Sequence, residues 1–148
     1  MIQLTEHFFL EELCRSDMAV RKGILNIPSP VVVQNLRVLA EGLEKVRTLL
    51  GKPIMVSSGY RSATLNSLVG GAMKPPSAHI SGFAADFTCW SFGRPEDIVR
   101  AIERSDIKFD QVIMEGSWVH ISFAPTMRQE TMTALFSGGK VTYTRRHS

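Results

Sequence analysis

Apolar residues recur at helical spacing in the segment that follows residue 30. They are separated by alternating steps of four and three residues, which places them on one face of an amphipathic helix. Ser29 and Pro30 suit the N-cap and the first helical position, and Gly51 suits the C-cap. The pattern predicts one long helix that buries the stripe Val32, Leu36, Leu39, Leu43, Val46 and Leu50.

Shorter patterns predict the other elements. Residues 8–17 and 94–106 have the composition of helices, and 61–71 of a helical turn. Apolar runs at 52–60 and 83–90 predict strands, and a third run, 109–124, predicts a hairpin around Gly116 and Ser117. Two prolines and small residues predict a long loop over 72–82.

Helices set apart from an antiparallel sheet indicate an α+β fold, with a small antiparallel sheet and helices packed against it. A chain of 148 residues has the size of one domain, so we expect a single domain over 1–148. The sequence of residues 138–148 favours a short edge strand followed by a basic tail. We expect this flexible tail within residues 140–148.

Composition narrows the class of protein only slightly. An apolar fraction of 44% and a charged fraction of 21% are ordinary for a soluble globule. The net charge of +3 favours anionic surfaces without identifying one, and neither a basic helix nor a stacked-aromatic strand supports nucleic-acid binding. Cys14 and Cys89 form no disulfide framework or metal motif, which predicts buried thiols in a reduced compartment. We expect a monomer.

No apolar run is long enough to predict a membrane span, and the first residues, "MIQLTEHFFLEEL", carry acids where a signal peptide would be basic. We therefore expect synthesis in the cytoplasm without a signal peptide.

Polar residues on apolar strands supply the candidate chemistry. Asp86 lies within the predicted strand 83–90, and His79 precedes that strand by a few positions. His120 lies mid-strand in the hairpin, on one face with Trp118 and Ser122. A buried carboxylate is costly unless it is paired, so either the three residues form a structural polar contact or a cation lies between them. Two imidazoles and a carboxylate with an open fourth position are typical of catalytic zinc.

Three motifs occur in the order seen in a known family. The stretches "SGYRS", "SAHISGFAAD" and "WVHIS" resemble the zinc D-alanyl-D-alanine carboxypeptidases, which share a fold with lysostaphin-type peptidases and the zinc domain of hedgehog proteins. The similarity covers nearly the whole chain and is strongest to a short branch from bacteriophages and prophages. It implies Zn²⁺ held by His79, Asp86 and His120, and a carboxylate-binding role for Arg61.

The resemblance leaves the general base open. Many members of the family have an acid three positions before the last ligand, where this chain has Ser117. Glu115 is the nearest carboxylate and our preferred base, and Asp110 is the competitor, although an aspartate at a strand start is more often a cap. Ser77 either binds substrate or holds its loop, and Tyr60 and Trp118 either line the cleft or pack.

The resemblance implies a peptidase that uses zinc-activated water to cleave the D-amino-acid stem peptides of bacterial peptidoglycan, as a carboxypeptidase or an endopeptidase. A phage enzyme would reach the wall after release through a membrane lesion, or as part of the virion. The missing acid at Ser117 keeps a second possibility open, namely a zinc-stabilised wall-binding or tail module without turnover.

Overall fold

The long helix is confirmed in a computed structural model that describes residues 1–73 and 76–147. Helix α3 begins at Pro30 and ends at Leu50, with the Ser29 hydroxyl accepting from the Val32 amide and Gly51 in the left-handed conformation. The expected stripe faces the core, where Leu36, Leu39, Leu43, Val46 and Leu50 are buried.

Five shorter helices and six strands complete the described chain. The helices are α1 Leu10–Cys14, α2 Asp17–Lys22, α4 Ala63–Leu68, α5 Ala78–Ser81 and α6 Pro95–Glu103. The strands are β1 Met55–Ser58, β2 Ala84–Thr88, β3 Gln111–Glu115, β4 Trp118–Ser122, β5 Glu130–Ser137 and β6 Lys140–Arg145. None of the described helices is both long and apolar enough to cross a membrane.

The strands form one sheet in the order β1-β2-β4-β3-β5-β6. One face packs against the apolar faces of α3 and α6, where Ala85, Phe87, Val119 and Ile121 join the core. The α+β class is therefore confirmed. The sheet is larger than expected and is not purely antiparallel, because β3 and β5 run parallel.

Residues 123–129 cross from β4 to β5, and Asp110 organises this crossover. Its buried carboxylate accepts hydrogen bonds from Thr126 (2.7 Å) and from the amide, Nε and Nη2 of Arg128 (2.9–3.0 Å). Met127 and Gln129 in the same segment have positive φ angles, which are unfavourable for side-chain-bearing residues. The Asp110–Arg128 pair thus holds a strained connection in place.

The expected short edge strand is present, but Arg146 and His147 after it pair with helix α6 where a flexible tail was expected. Residues Lys140–Arg145 form the edge strand β6. The Arg146 guanidinium bonds to Glu96 (2.8 Å) and Glu103 (3.1 Å) of α6, and its side chain is 11% exposed. These ion pairs attach the last residues to the helix layer and correct the expected tail; Ser148 lies outside the described residues.

Replacing Asp110 by asparagine is expected to lower the free energy of unfolding by about 2 kcal/mol at pH 7. Truncating a wholly buried ion pair costs about 3–5 kcal/mol, and the half-exposed Arg128 reduces that cost because water can solvate its charge. Burial raises the pKa of Asp110, but hydrogen bonds from Arg128 and Thr126 outweigh burial and hold the pKa below its usual range.

The sign of this shift sets the pH dependence. The stabilisation by the ionised Asp110 carboxylate is complete above about pH 5, where the unfolded carboxyl is almost fully ionised. It is lost as the pH falls further, through the lower folded-state pKa. Urea unfolding at pH 7 and pH 3 measures this, with Asp106→Asn at an exposed carboxylate as the matched control. A variant difference that does not shrink at pH 3 would contradict this assignment.

Candidate metal centre

His79, Asp86 and His120 come together on the sheet face opposite the α3–α6 core. Asp86 in β2 pairs directly with His120 in β4, so both side chains point to the same face. His79 reaches them from α5, and one potential ligand atom from each residue lies within 4.8 Å of the others. The exposed fractions of His79, Asp86 and His120 are only 2%, 9% and 8%.

His79 was expected in a loop but lies on the one-turn helix α5. Ser77 caps this turn by accepting from the His79 amide (3.2 Å), and Gly82 closes it at a φ of 84°. A side chain on Gly82 would also press on Val32 and Leu36 of α3. The turn therefore aims the imidazole at the sheet. Residues 74 and 75 of the expected loop lie outside the described residues.

Each histidine presents one ring nitrogen to the cluster. His79 Nδ1 donates to the Gly59 carbonyl (2.7 Å), which leaves Nε2 facing Asp86 Oδ1 at 3.3 Å. His120 presents Nδ1, 3.1 Å from the same oxygen. A hydrogen bond that fixes one ring nitrogen and frees the other is typical of metal-binding histidines.

The protonation states also suit a cation. Burial lowers the pKa of His79, which favours the neutral imidazole that ligates metal. Burial alone would raise the pKa of Asp86, but the His79 and His120 imidazoles outweigh it and hold that pKa well below its usual range. Two imidazole nitrogens and one ionised carboxylate are a ligand set that fits zinc.

Glu115 and Asp110, the two candidate bases, have different surroundings. Glu115 Oε1 lies 3.7 Å from His120 Nδ1, beside the cluster. Burial, with the charge of Asp86, raises the pKa of Glu115 above its ordinary value, although His120 and Arg61 oppose the shift. Asp110 is instead engaged by Arg128 and Thr126 in the crossover.

Arg61 enters the site on a fixed backbone. Its amide donates to the His79 carbonyl (3.1 Å), and the Asn26 side chain bonds to the residues on either side, Tyr60 and Ser62. Burial lowers the pKa of Arg61, while the charges of Asp86 and Glu115 oppose that shift. The guanidinium therefore lies near both carboxylates.

Two buried donors in this region have no partner among the described residues. They are Nε of Arg61 and Nε1 of Trp118, the residue that pairs with Glu115 across the hairpin. Unpaired buried donors are uncommon and costly. Tyr60, by contrast, packs against the hydrophobic core, which favours the packing interpretation of that residue.

Sequence reasoning missed two features of the site. The Gly59 carbonyl that orients His79 lies in the "SGYRS" motif, so the glycine was a usable signal. Strand β5 was not predicted, although Met132, Ala134 and Phe136 alternate with threonine, leucine and serine as in a strand.

A family model described as Peptidase M15 matches residues 6–122. No curated protein sequence matches the chain. The matched residues include the three potential metal ligands, Arg61 and both candidate bases, and they end at the last residue of β4.

Proposed function

From the membership of this chain in the peptidase M15 family, the zinc D-Ala-D-Ala carboxypeptidase family, we propose that it is a zinc-dependent peptidase that cleaves the D-amino-acid-containing stem peptides of peptidoglycan. The observation that supports this most directly is the buried cluster of His79, Asp86 and His120, whose ligand atoms converge within 4.8 Å with Glu115 beside them.

In this proposal His79 and His120 hold Zn²⁺ through ring nitrogens and Asp86 holds it through a carboxylate oxygen. The ion, when bound, supplies Lewis-acid chemistry that activates water near neutral pH and stabilises negative charge on the substrate oxygen. The Gly59 carbonyl keeps His79 in the ligating tautomer through its hydrogen bond to Nδ1.

Glu115 is the general base. Its carboxylate takes a proton as water adds to the amide carbonyl, and then delivers that proton to the leaving nitrogen, so the products are a carboxylate and an amine. The raised pKa of Glu115 suits both transfers. The side chain is 17% exposed, which limits competing exchange with bulk water.

Arg61 binds a carboxylate of the stem peptide. A guanidinium matches a carboxylate with two parallel bonds, and that of Arg61 has no described partner at Nε. Trp118, which pairs with Glu115 across the hairpin, borders the bound peptide beside the base. Ser77 acts through its cap on α5. Because the sequence motifs resemble the phage branch, the proposal extends to wall degradation during lysis or infection.

Removal of the metal is expected to abolish amine release from purified peptidoglycan, and added Zn²⁺ to restore it. Chelator-treated protein with zinc, with magnesium or with no metal provides the comparison, because Mg²⁺ prefers oxygen ligands. Free D-alanine among the products would identify a carboxypeptidase, whereas larger fragments would identify an endopeptidase.

Binding of peptidoglycan without cleavage would contradict the proposal. A zinc-loaded protein that sediments with peptidoglycan but releases no amine would favour the non-catalytic wall-binding module. The proximity of Glu115 to His120 is the observation that favours turnover over this alternative.

A further inference from the structure

The face of the sheet that carries the metal centre continues beyond the family-matched residues. Ile113 of β3 pairs with His120 on one side and with Met132 of β5 on the other, and Met132 pairs with Arg145 of β6. Residues paired across neighbouring strands point to the same face. The hairpin β5–β6 therefore extends the site face by two strands.

Tyr143 occupies the same row of this face as Glu115. Met114 pairs with Thr133, so the next step of the parallel register sets Glu115 level with Ala134, and Ala134 pairs with Tyr143. Strands are about 4.8 Å apart, which puts the backbones of Tyr143 and Glu115 about 10 Å apart. Ala134, which lies between them on β5, is 4% exposed, so neighbouring side chains of this face cover its methyl group.

The surroundings of Tyr143 agree with this placement. Burial raises its pKa, and the charges of Glu115 and Asp86 add to the rise, so the phenol remains a protonated hydrogen-bond donor. The residue is 48% exposed and thus accessible from solvent. Because this face already carries the charges of Glu115 and Asp86, it favours a neutral acceptor for the phenol over another anion.

Phe136 covers the turn that follows Glu115. A methyl group added to Gly116 would lie 3.5 Å from the Phe136 ring, yet the ring is 54% exposed. Its position beside the turn, together with Tyr143 on the same face, makes the hairpin a partly apolar border of the metal centre.

We propose that the hairpin β5–β6 forms one wall of the substrate cleft, in which the Tyr143 hydroxyl donates a hydrogen bond to a backbone carbonyl of the bound stem peptide and Phe136 contacts its apolar groups. The inference rests on the proposed function. It assigns the substrate's charged carboxylate to Arg61 and a neutral carbonyl to Tyr143, on opposite sides of Glu115.

Tyr143→Phe is the sharpest test, because it removes only the hydroxyl. With muropeptides from glycosidase-digested peptidoglycan, we expect KM to rise about threefold to tenfold, the effect of one neutral hydrogen bond, with kcat nearly unchanged. Leu135→Ala is the matched control. Leu135 is similarly exposed, at 51%, but it pairs with Thr142 on the opposite face of the hairpin.

Binding of the same muropeptides to the zinc-loaded protein, measured by calorimetry, separates this inference from the proposed function. If wild type turns over and KM changes in Tyr143→Phe but not in Leu135→Ala, the inference stands. An unchanged KM in Tyr143→Phe, or equal changes in both variants, overturns it.

A wild type that binds muropeptides without turnover would refute the proposed function. Weaker binding by Tyr143→Phe alone would still support the wall, and equal binding would overturn it. Absence of both binding and turnover overturns both proposals.

Discussion

Glu115→Gln is expected to lower kcat about a thousandfold while the protein keeps its zinc. Loss of a positioned general base costs about 10²–10⁴ in rate, and an amide of the same shape cannot accept and return the proton. Glu115 is outside the buried His79, Asp86 and His120 set, so its replacement leaves all three ligand atoms in place.

Amine release and zinc content, measured on the same preparation, test this expectation. Asp110→Asn is the informative comparison, because each of the two variants removes one negative charge from one candidate base. We expect Asp110→Asn to be less stable but to retain turnover at a temperature where it is folded, since its carboxylate bonds to Arg128 and Thr126. Full activity in Glu115→Gln would exclude Glu115 as the general base.

His120→Ala is expected to reduce zinc affinity by more than about a hundredfold and to abolish turnover. Loss of a mere supporting partner costs about 10–100-fold in metal affinity, and His120 is itself one of the three proposed ligands. The substitution also leaves the Asp86 carboxylate, buried at 9% exposure, without one of its two imidazole neighbours.

The readout is zinc competition against a chromophoric chelator, with thermal unfolding in parallel. Zinc that binds the folded state raises the wild-type Tm by mass action, and we expect no such rise in His120→Ala. His7→Ala is the control, because His7 bonds to Glu44 and is outside the cluster. Equal zinc affinity in wild type and His120→Ala would exclude His120 as a ligand.

Much of the fold could be predicted because its signals are local. The stripe from Val32 to Leu50 and its flanking caps specify α3 without reference to other elements. The period of two placed His120 and Trp118 on one face, and the hairpin around Gly116 formed as expected. The β3–β5 pairing could not be predicted, because a parallel contact depends on a crossover whose course is set by Asp110 and Arg128.

The candidate site, like the fold, was predictable only in the features that depend on local sequence. By itself the sequence determined which residue types were available for metal chemistry, and that Asp86 and His120 lie on strands. Only the tertiary structure decided that the Gly59 carbonyl orients His79. It also decided that Asp110 bonds to Arg128, whereas Glu115 lies beside His120. The strand register, finally, places Tyr143 in the same row as Glu115. The physical reason is that periodicity and capping act within a few residues, whereas a buried charge is assigned its role by partners distant in the chain.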